Sequence, residues 1–179
     1  SVFNAQLIVG GAFTSAGGAP AFRIASWNGT DWSSFDVGMN HEVRALGEFN
    51  GELIAGGSFN SVDSVSANNV ARWNGATWQA LGAGTDGAIP DVYALTVYAS
   101  QLIAGGFFND AGGTQVDYIA RWNGTTWQGL GTGMDGPVYS LTTFGTDLVA
   151  GGEFSSAGGT NASYIASWNG TSWAELDGG

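Results

Sequence analysis

Acidic side chains and one histidine are the groups of this sequence that could carry acid–base chemistry or hold a cation. The 179 residues include 15 Asp and Glu, four Arg, no Lys and a single histidine, His41. Carboxylates can act as general acids and bases or as calcium ligands, whereas a lone loop histidine is usually a solvated surface group. The chain has no Cys, which excludes disulfides, thiol catalysis and Cys-based metal sites. We assign no metal ligands and predict no cofactor.

Nine of the acids fall in segments that we predict to be loops opening on one face of the fold. With His41, the candidate binding residues are Asp36, Glu42, Asp63, Asp86, Asp91, Asp110, Asp117, Asp135 and, near the C-terminus, Asp177. They could form a cation site or a docking surface for a basic partner, or they could simply supply solubilising charge. No serine has the flanking residues of a nucleophile elbow and no phosphate-binding loop is present, so we predict that the chain is not an enzyme.

The overall charge excludes two classes of partner. The formal net charge is −11 at pH 7, which repels phosphate backbones and argues against nucleic-acid binding. No cluster of basic residues could attract an anionic lipid surface, and no apolar run is long enough for a membrane-spanning helix. We predict no nucleic-acid partner and no membrane insertion.

An internal repeat sets the positions of these loops. The block Leu102–Gly106 (Leu-Ile-Ala-Gly-Gly) recurs with small changes from residues 7, 53 and 148, and a Trp-Asn-Gly block follows each copy. A tryptophan directly precedes each Asn-Gly pair, and successive tryptophans are 46, 49 and 46 residues apart. They are Trp27, Trp73, Trp122 and Trp168. A period of this size is typical of stacked supersecondary units.

Each repeat is predicted to form four short strands. In the third repeat they span residues 92–98, 101–105, 118–122 and 125–130. The Asn-Gly pair between the last two strands favours a two-residue type I′ turn, which would place Trp27 opposite Thr30. The same register would place Ala25 opposite Trp32. Since side chains alternate across a strand, both faces of each sheet carry groups to bury, and each sheet should lie between two others.

Four-stranded units of ~40–50 residues that stack face to face predict a β-propeller. A β-sandwich does not explain the repeat, and one coil of a β-helix would be shorter. We therefore predict an all-β propeller of four-stranded antiparallel blades, with four blades per chain. The repeats cover about residues 1–35, 36–84, 85–133 and 134–179, as a single domain or half of a propeller.

The ends of the chain bear on its assembly. The chain starts and stops out of phase with the repeat, as in a segment cut from a longer array, and the terminal blades would each expose an apolar face. A second copy could cover both faces through the contacts used inside the chain. We predict a homodimer that forms an eight-bladed ring, with a four-bladed monomer as the alternative.

The blocks Leu102–Gly106 and Ile119–Trp127 resemble those of kelch and galactose-oxidase-type propellers, and the repeat is still more similar to Trp-Asn/Asp-Gly arrays of secreted or surface-exposed bacterial proteins. Fungal cortical polarity-marker proteins have similar repeats. The resemblance implies a propeller fold and an extracellular or cell-surface location. It does not imply copper chemistry, because the thioether-forming Cys and the His ligands of galactose oxidase are missing. Propellers of this type have no single activity.

The predicted function is a non-catalytic module that binds a protein or a glycan, or serves as a scaffold. The alternatives are a carboxylate-dependent hydrolase or lyase on the acidic loop face, and a purely structural repeat. The regularly spaced Trp pairs are predicted to be core, whereas three loop aromatics could reach the binding face: Phe22, Tyr118 and Tyr164.

Two arginines occupy a position where the other repeats have serine. Arg72 and Arg121 stand in the third strand of their repeats, where Ser26 and Ser167 are found. A buried Arg needs a partner, so we expect these two side chains to pair with carboxylates between adjacent blades.

Overall fold

The computed structural model describes residues 1–176, and within that part of the chain every regular element is a β-strand. The fold divides into two compact units, Ser1–Gly84 and the part that begins at Thr85. Each unit holds two of the sequence repeats. The prediction of an all-β protein is confirmed.

The strands follow the repeats. The first unit begins with β1 (Val2–Phe3), β2 (Gln6–Gly10), β3 (Ser15–Ala16), β4 (Ala19–Pro20), β5 (Ile24–Trp27) and β6 (Trp32–Ser34). It continues with β7 (Val43–Phe49), β8 (Glu52–Gly57), β9 (Ser61–Val62), β10 (Val65–Ser66), β11 (Val70–Trp73) and β12 (Trp78–Ala80).

The second unit has the same order of elements. Its first repeat contains β13 (Thr85–Asp86), β14 (Asp91–Tyr98), β15 (Gln101–Phe107), β16 (Asp110–Ala111), β17 (Thr114–Gln115), β18 (Ile119–Trp122) and β19 (Trp127–Gly129). Its second contains β20 (Val138–Phe144), β21 (Asp147–Gly152), β22 (Ser156–Ala157), β23 (Thr160–Asn161), β24 (Ile165–Trp168) and β25 (Trp173–Glu175).

Four antiparallel sheets of four strands are present among the described residues, one per repeat. Their strand orders are β1-β2-β5-β6 (sheet 1), β7-β8-β11-β12 (sheet 2), β14-β15-β18-β19 (sheet 3) and β20-β21-β24-β25 (sheet 4). The two-residue strands between the second and third strand of each sheet form small hairpins, and the hairpin of the third repeat also pairs with β13. The predicted four-stranded antiparallel unit is confirmed.

The register across the Asn-Gly turns differs from the prediction. Trp27 pairs directly with Trp32, and Ala25 pairs with Ser34. Four residues therefore form the turn, and the predicted pairs of Trp27 with Thr30 and of Ala25 with Trp32 are wrong. The two indoles still share one face, with ring centroids 5.3 Å apart.

The asparagine side chain explains the longer turn. The Oδ1 atom of Asn28 accepts hydrogen bonds from the backbone N–H groups of Thr30 and Asp31, both at 2.8 Å. Within the turn a positive φ is needed at Gly29 alone, where it is 105°. Because Asn can replace a backbone acceptor in this way, it stabilises a four-residue turn in preference to a two-residue one.

Glycine is required where neighbouring strands of one sheet meet most closely. The second residue of the Gly-Gly pair in sheet 3, Gly106, is buried, and a Cβ atom there would overlap the backbone carbonyl oxygen of Asp91. Gly57 and Gly152 meet the backbone of the preceding strand in the same way. The second glycine of the pair thus marks a close backbone approach in sheets 2, 3 and 4.

In the first unit, sheets 1 and 2 pack face to face. Ile8 and Ile24 of sheet 1 lie in one buried cluster with Leu53, Ala71 and Trp78 of sheet 2. Burying side chains of this size is worth about 1.5–3 kcal/mol each, so this contact accounts for much of the stability of the unit.

In the second unit, sheets 3 and 4 make the equivalent contact. Ile103 and Ile119 of sheet 3 are buried with Leu148 and Trp173 of sheet 4. The indole N–H of Trp173 donates a hydrogen bond to the carbonyl oxygen of Leu130 at 2.9 Å. Five tryptophans are buried, as predicted for core residues: Trp78, Trp122, Trp127, Trp168 and Trp173.

Candidate functional site

Several of the predicted site carboxylates accept hydrogen bonds that order the loops in which they lie. Backbone N–H groups donate at 2.7–2.9 Å to three of them: Gly38 to Asp63, Gly87 to Asp86 and Gly113 to Asp110. The side-chain amide of Gln115 donates to Asp117 at 3.3 Å. Asp86 and Asp110 thus stabilise their own turns, whereas Asp63 joins its loop to one 25 residues earlier in the chain. Both are structural roles.

The other candidates are dispersed. Asp36 and His41 are exposed, Glu42 forms an ion pair with Arg44 at 2.8 Å, and Asp91 is buried at the start of β14. Within residues 1–176 no group of three His, Cys, Asp or Glu side chains is arranged to hold a metal ion. Asp177 lies outside the described residues.

Asp135 accepts hydrogen bonds through both of its carboxylate oxygens. Its Oδ1 accepts the backbone N–H groups of Ser155 and Ser156 at 2.8 Å, and its Oδ2 accepts the Ser155 hydroxyl at 2.6 Å. In the first unit Asn40 stands at the same repeat position and accepts two backbone N–H groups at 3.1 Å. This position therefore joins a loop to the hairpin of the following sheet.

The hydrogen bonds of Asp135 are expected to contribute to stability in a pH-dependent way. The Ser155 hydroxyl, with the two backbone N–H groups, lowers the pKa of Asp135 below its ordinary value of 3.8. The stabilisation is therefore present above that value and is lost as the pH falls below it. We expect Asp135→Ala to lower the free energy of unfolding at pH 7 by about 1 kcal/mol, since the site is exposed.

Asp135→Asn is the matched control, because Asn40 performs the same task in the first unit. We expect this variant to keep most of the stability at pH 7 and to lose the acid-dependent part. Urea unfolding at pH 7 and pH 3 measures both effects. Equal stability of Asp135→Ala and the wild type at pH 7 would show that the hydrogen bonds contribute nothing.

Arg72 does not follow the predicted pairing. Arg72 forms its ion pair with Glu52 at 3.2 Å, and both residues belong to sheet 2. The predicted contact between adjacent blades is wrong for this residue, because a partner two positions along the neighbouring strand lies within reach. At Arg121 the equivalent neighbour is Gln101, which carries no charge.

Three β-bulges project side chains that the sequence analysis did not single out. The first strands of sheets 2, 3 and 4 each shift register around one residue: Arg44, Tyr93 and Tyr139. A bulge leaves its extra residue out of the ladder and redirects the side chain. The segment Val92–Leu95 carries a signal for this, because two adjacent apolar residues break the strict alternation of a strand.

The second unit carries two aromatic ring pairs, one of them at two of these bulges, and we call these four rings together with one carboxylate the tyrosine surface. Its members are Tyr93, Phe107, Tyr118, Tyr139 and Glu153. The rings of Tyr93 and Tyr139 are 5.3 Å apart in an edge-on arrangement, and those of Phe107 and Tyr118 are 5.9 Å apart. Phe107 and Tyr139 are 37% and 48% exposed. Of the three aromatics predicted to reach a binding face, Tyr118 belongs to this surface.

A hydrogen bond fixes the most exposed tyrosine of this surface. The Tyr139 hydroxyl donates to the Glu153 carboxylate at 2.8 Å. This bond raises the pKa of Tyr139 above its ordinary value, because the phenol must keep its proton to donate it to Glu153. The carboxylate keeps further lone pairs for other donors.

One face of sheet 1 is open. Leu7 is 44% exposed, whereas the equivalent residues of the other sheets are fully buried: Leu53, Leu102 and Leu148. Trp27 and Trp32 lie on the same face of sheet 1 and are only half-buried.

One face of sheet 4 is open as well. Val149 and Ile165 lie on this face and are half-buried. Their equivalents in sheets 1 to 3 are buried: Ile8, Ile24, Ile54, Val70, Ile103 and Ile119. The two open faces correspond to the two sides of the contact that sheets 1 and 2 make inside the first unit.

Comparisons with known proteins agree with the repeat architecture. No curated protein matches the chain. Among the described residues, no helix is long and apolar enough to cross a membrane. Residues 50–74, which include β8 and β11, match a family described as "Domain of unknown function (DUF5122) beta-propeller". This part of the chain is thus similar to a β-propeller family, in agreement with its four-stranded antiparallel sheet.

Proposed function

We propose that this chain is a non-catalytic β-propeller module that binds neutral glycans through the tyrosine surface. The observation that carries the proposal is the ring pair of Tyr93 and Tyr139, which β-bulges project out of two adjacent sheets. Tyrosine combines a large apolar ring with a polar tip and loses little conformational entropy on binding.

The chemistry of this surface suits an uncharged sugar. A pyranose ring presents apolar C–H groups that pack on an aromatic face, while its hydroxyl groups can donate to the Glu153 carboxylate. The net charge of −11 and Glu153 itself repel anionic sugars. Neutral glycans are therefore favoured over sialylated or sulfated ones.

The rival function is a carboxylate-dependent hydrolase or lyase. Such chemistry needs two carboxyl groups close enough to share a substrate and with different pKa values. Asp63, Asp86, Asp110 and Asp135 instead accept backbone N–H groups of loops. These hydrogen bonds favour a binding role.

A glycan array and a panel of glycosidase, lyase and esterase substrates, run in parallel, test the proposal. We expect binding to one or more neutral glycans and no turnover. Turnover that disappears in the Asp135→Asn variant would contradict the proposed function and support the rival one. A blank array would contradict it too, and would favour a scaffold.

We also propose that each chain supplies four blades and that two chains form an eight-bladed ring. The open faces of sheets 1 and 4 support this, because a second copy can cover both with contacts of the kind found between sheets 1 and 2. Contacts of this head-to-tail type close into a ring when the rotation per chain is a half-turn. We further propose display at the cell surface or outside the cell, where glycans are abundant.

A further inference from the structure

The first unit contains a cavity of about 480 Å³ beside the contact of sheets 1 and 2. Gln6, Ser26, Phe35, Asp36 and Trp73 contribute to its lining. Ser26 is buried, Asp36 is exposed, and the Trp73 indole is half-buried with Phe35 edge-on to it at 5.3 Å. The cavity thus combines an aromatic wall, a small hydroxyl residue and a carboxylate.

The residues of this cavity follow a pattern along the chain. A repeat with Ser in its third strand has Asp ten residues later, and a repeat with Arg has Gly there. The four pairs are Ser26 with Asp36, Arg72 with Gly82, Arg121 with Gly131, and Ser167 with Asp177. A carboxylate therefore appears where the repeat lacks its own guanidinium group.

In the second unit the chain's own arginine stands at the equivalent place. Arg121 lies opposite Ile103 on the strand ladder and shares a face with Ile119. Both isoleucines pack in the buried cluster that contains Trp168, the equivalent of Trp73. Trp168 is buried, whereas Trp73 is partly uncovered, as expected if Ser26 leaves a space that arginine would fill.

We infer that this cavity of the first unit binds the guanidinium group of an arginine side chain supplied by another molecule. A guanidinium group is attracted to the face of a tryptophan and pairs with a carboxylate through two parallel N–H donors. Asp36 and Trp73 provide these two features, and the small side chain of Ser26 leaves space for the guanidinium group. The strongly negative net charge draws cations to the chain.

This site is separate from the tyrosine surface, which belongs to the second unit. Its test is independent of the proposed glycan binding. A chain that binds no glycan could still bind arginine here, and a chain that binds no arginine could still bind a glycan.

The probe is Nα-acetyl-arginine N-methylamide, with the neutral isostere Nα-acetyl-citrulline N-methylamide as the matched ligand. Titration of the full chain is followed at the assigned indole N–H resonance of Trp73. We expect a saturable shift with the arginine derivative and at least about fivefold weaker binding of the citrulline derivative. Equal binding of the two, or no saturable shift, overturns the inference.

Two variants and a control locate the site. We expect Asp36→Asn to weaken arginine binding about fivefold, and Ser26→Arg to abolish it by placing the chain's own guanidinium in the cavity. Asp31→Asn removes the same charge from an exposed turn residue outside the cavity lining and should leave the affinity unchanged. Undiminished binding in Asp36→Asn, an exposed position where folding is not at risk, overturns the inference.

Discussion

Gly106→Ala is expected to lower the free energy of unfolding by about 3 kcal/mol, the upper part of the usual range for overpacking a core. Gly106 has no positive φ, so alanine could adopt its backbone conformation. The loss comes from the added methyl group, which would overlap the carbonyl oxygen of Asp91. Backbone atoms of a paired strand cannot move aside as a flexible side chain can.

Gly129→Ala is the control in the same sheet. A Cβ atom there would be 3.4 Å from its nearest neighbour, an ordinary contact, and the φ of Gly129 is not positive. We expect unchanged or slightly higher stability, because alanine restricts the unfolded chain. Urea unfolding followed by tryptophan fluorescence measures both variants. A Gly106→Ala protein within about 1 kcal/mol of the wild type would refute the close-approach explanation of the Gly-Gly pairs.

Leu7→Asp is expected to convert the proposed dimer into a monomer. Leu7 is 44% exposed on the open face of sheet 1, so a charge there costs little in one chain. In the assembly the same residue would be buried as Leu53 is, and an unpaired buried charge is strongly destabilising. Light scattering on the eluting peak should give twice the 18.3 kDa of one chain for the wild type and a single chain mass for the variant.

Ile89→Asp controls for the added charge, because Ile89 is a 77% exposed loop residue that belongs to neither sheet 1 nor sheet 4. This variant should keep the mass of two chains. A wild type with the mass of one chain, or a Leu7→Asp protein that remains a dimer, would contradict the proposed assembly.

The sequence predicts the strands well and their turns less well. The recurring blocks Leu-Ile-Ala-Gly-Gly and Trp-Asn-Gly indicate which segments are strands, because the pattern of apolar residues and the turns both recur every 46 to 49 residues. The Asn-Gly pair alone predicts a type I′ turn. The hydrogen bonds of the Asn28 side chain favour a longer turn. These hydrogen bonds cannot be predicted from the Asn-Gly dipeptide alone.

The candidate site is harder to predict from the sequence. Loop position correctly identifies acids such as Asp63 and Asp135 as polar loop residues, but the backbone groups that they accept from lie 20 to 25 residues away. Tyr93 and Tyr139 are brought together by bulges in two different sheets. Only the paired fold shows that their rings meet.

The arginine position illustrates the same limit. The change between serine, as at Ser26, and arginine, as at Arg121, is visible when the repeats are aligned. The cavity beside Ser26 and the partner of Arg72 within its own sheet depend on how strands pair. Patterns along the chain thus indicate which positions differ, and the packing shows what fills each space.

Titration of a neutral glycan selected on the array against three proteins is the most direct test of the proposed function. The proteins are the wild type, Tyr139→Ala and Phe144→Ala. Phe144 is an aromatic control on the same strand, 79% exposed and at the opposite end of β20. We predict at least about tenfold weaker binding to Tyr139→Ala, as for a central aromatic contact, and unchanged binding to Phe144→Ala. Equal affinity of Tyr139→Ala and the wild type would contradict the account.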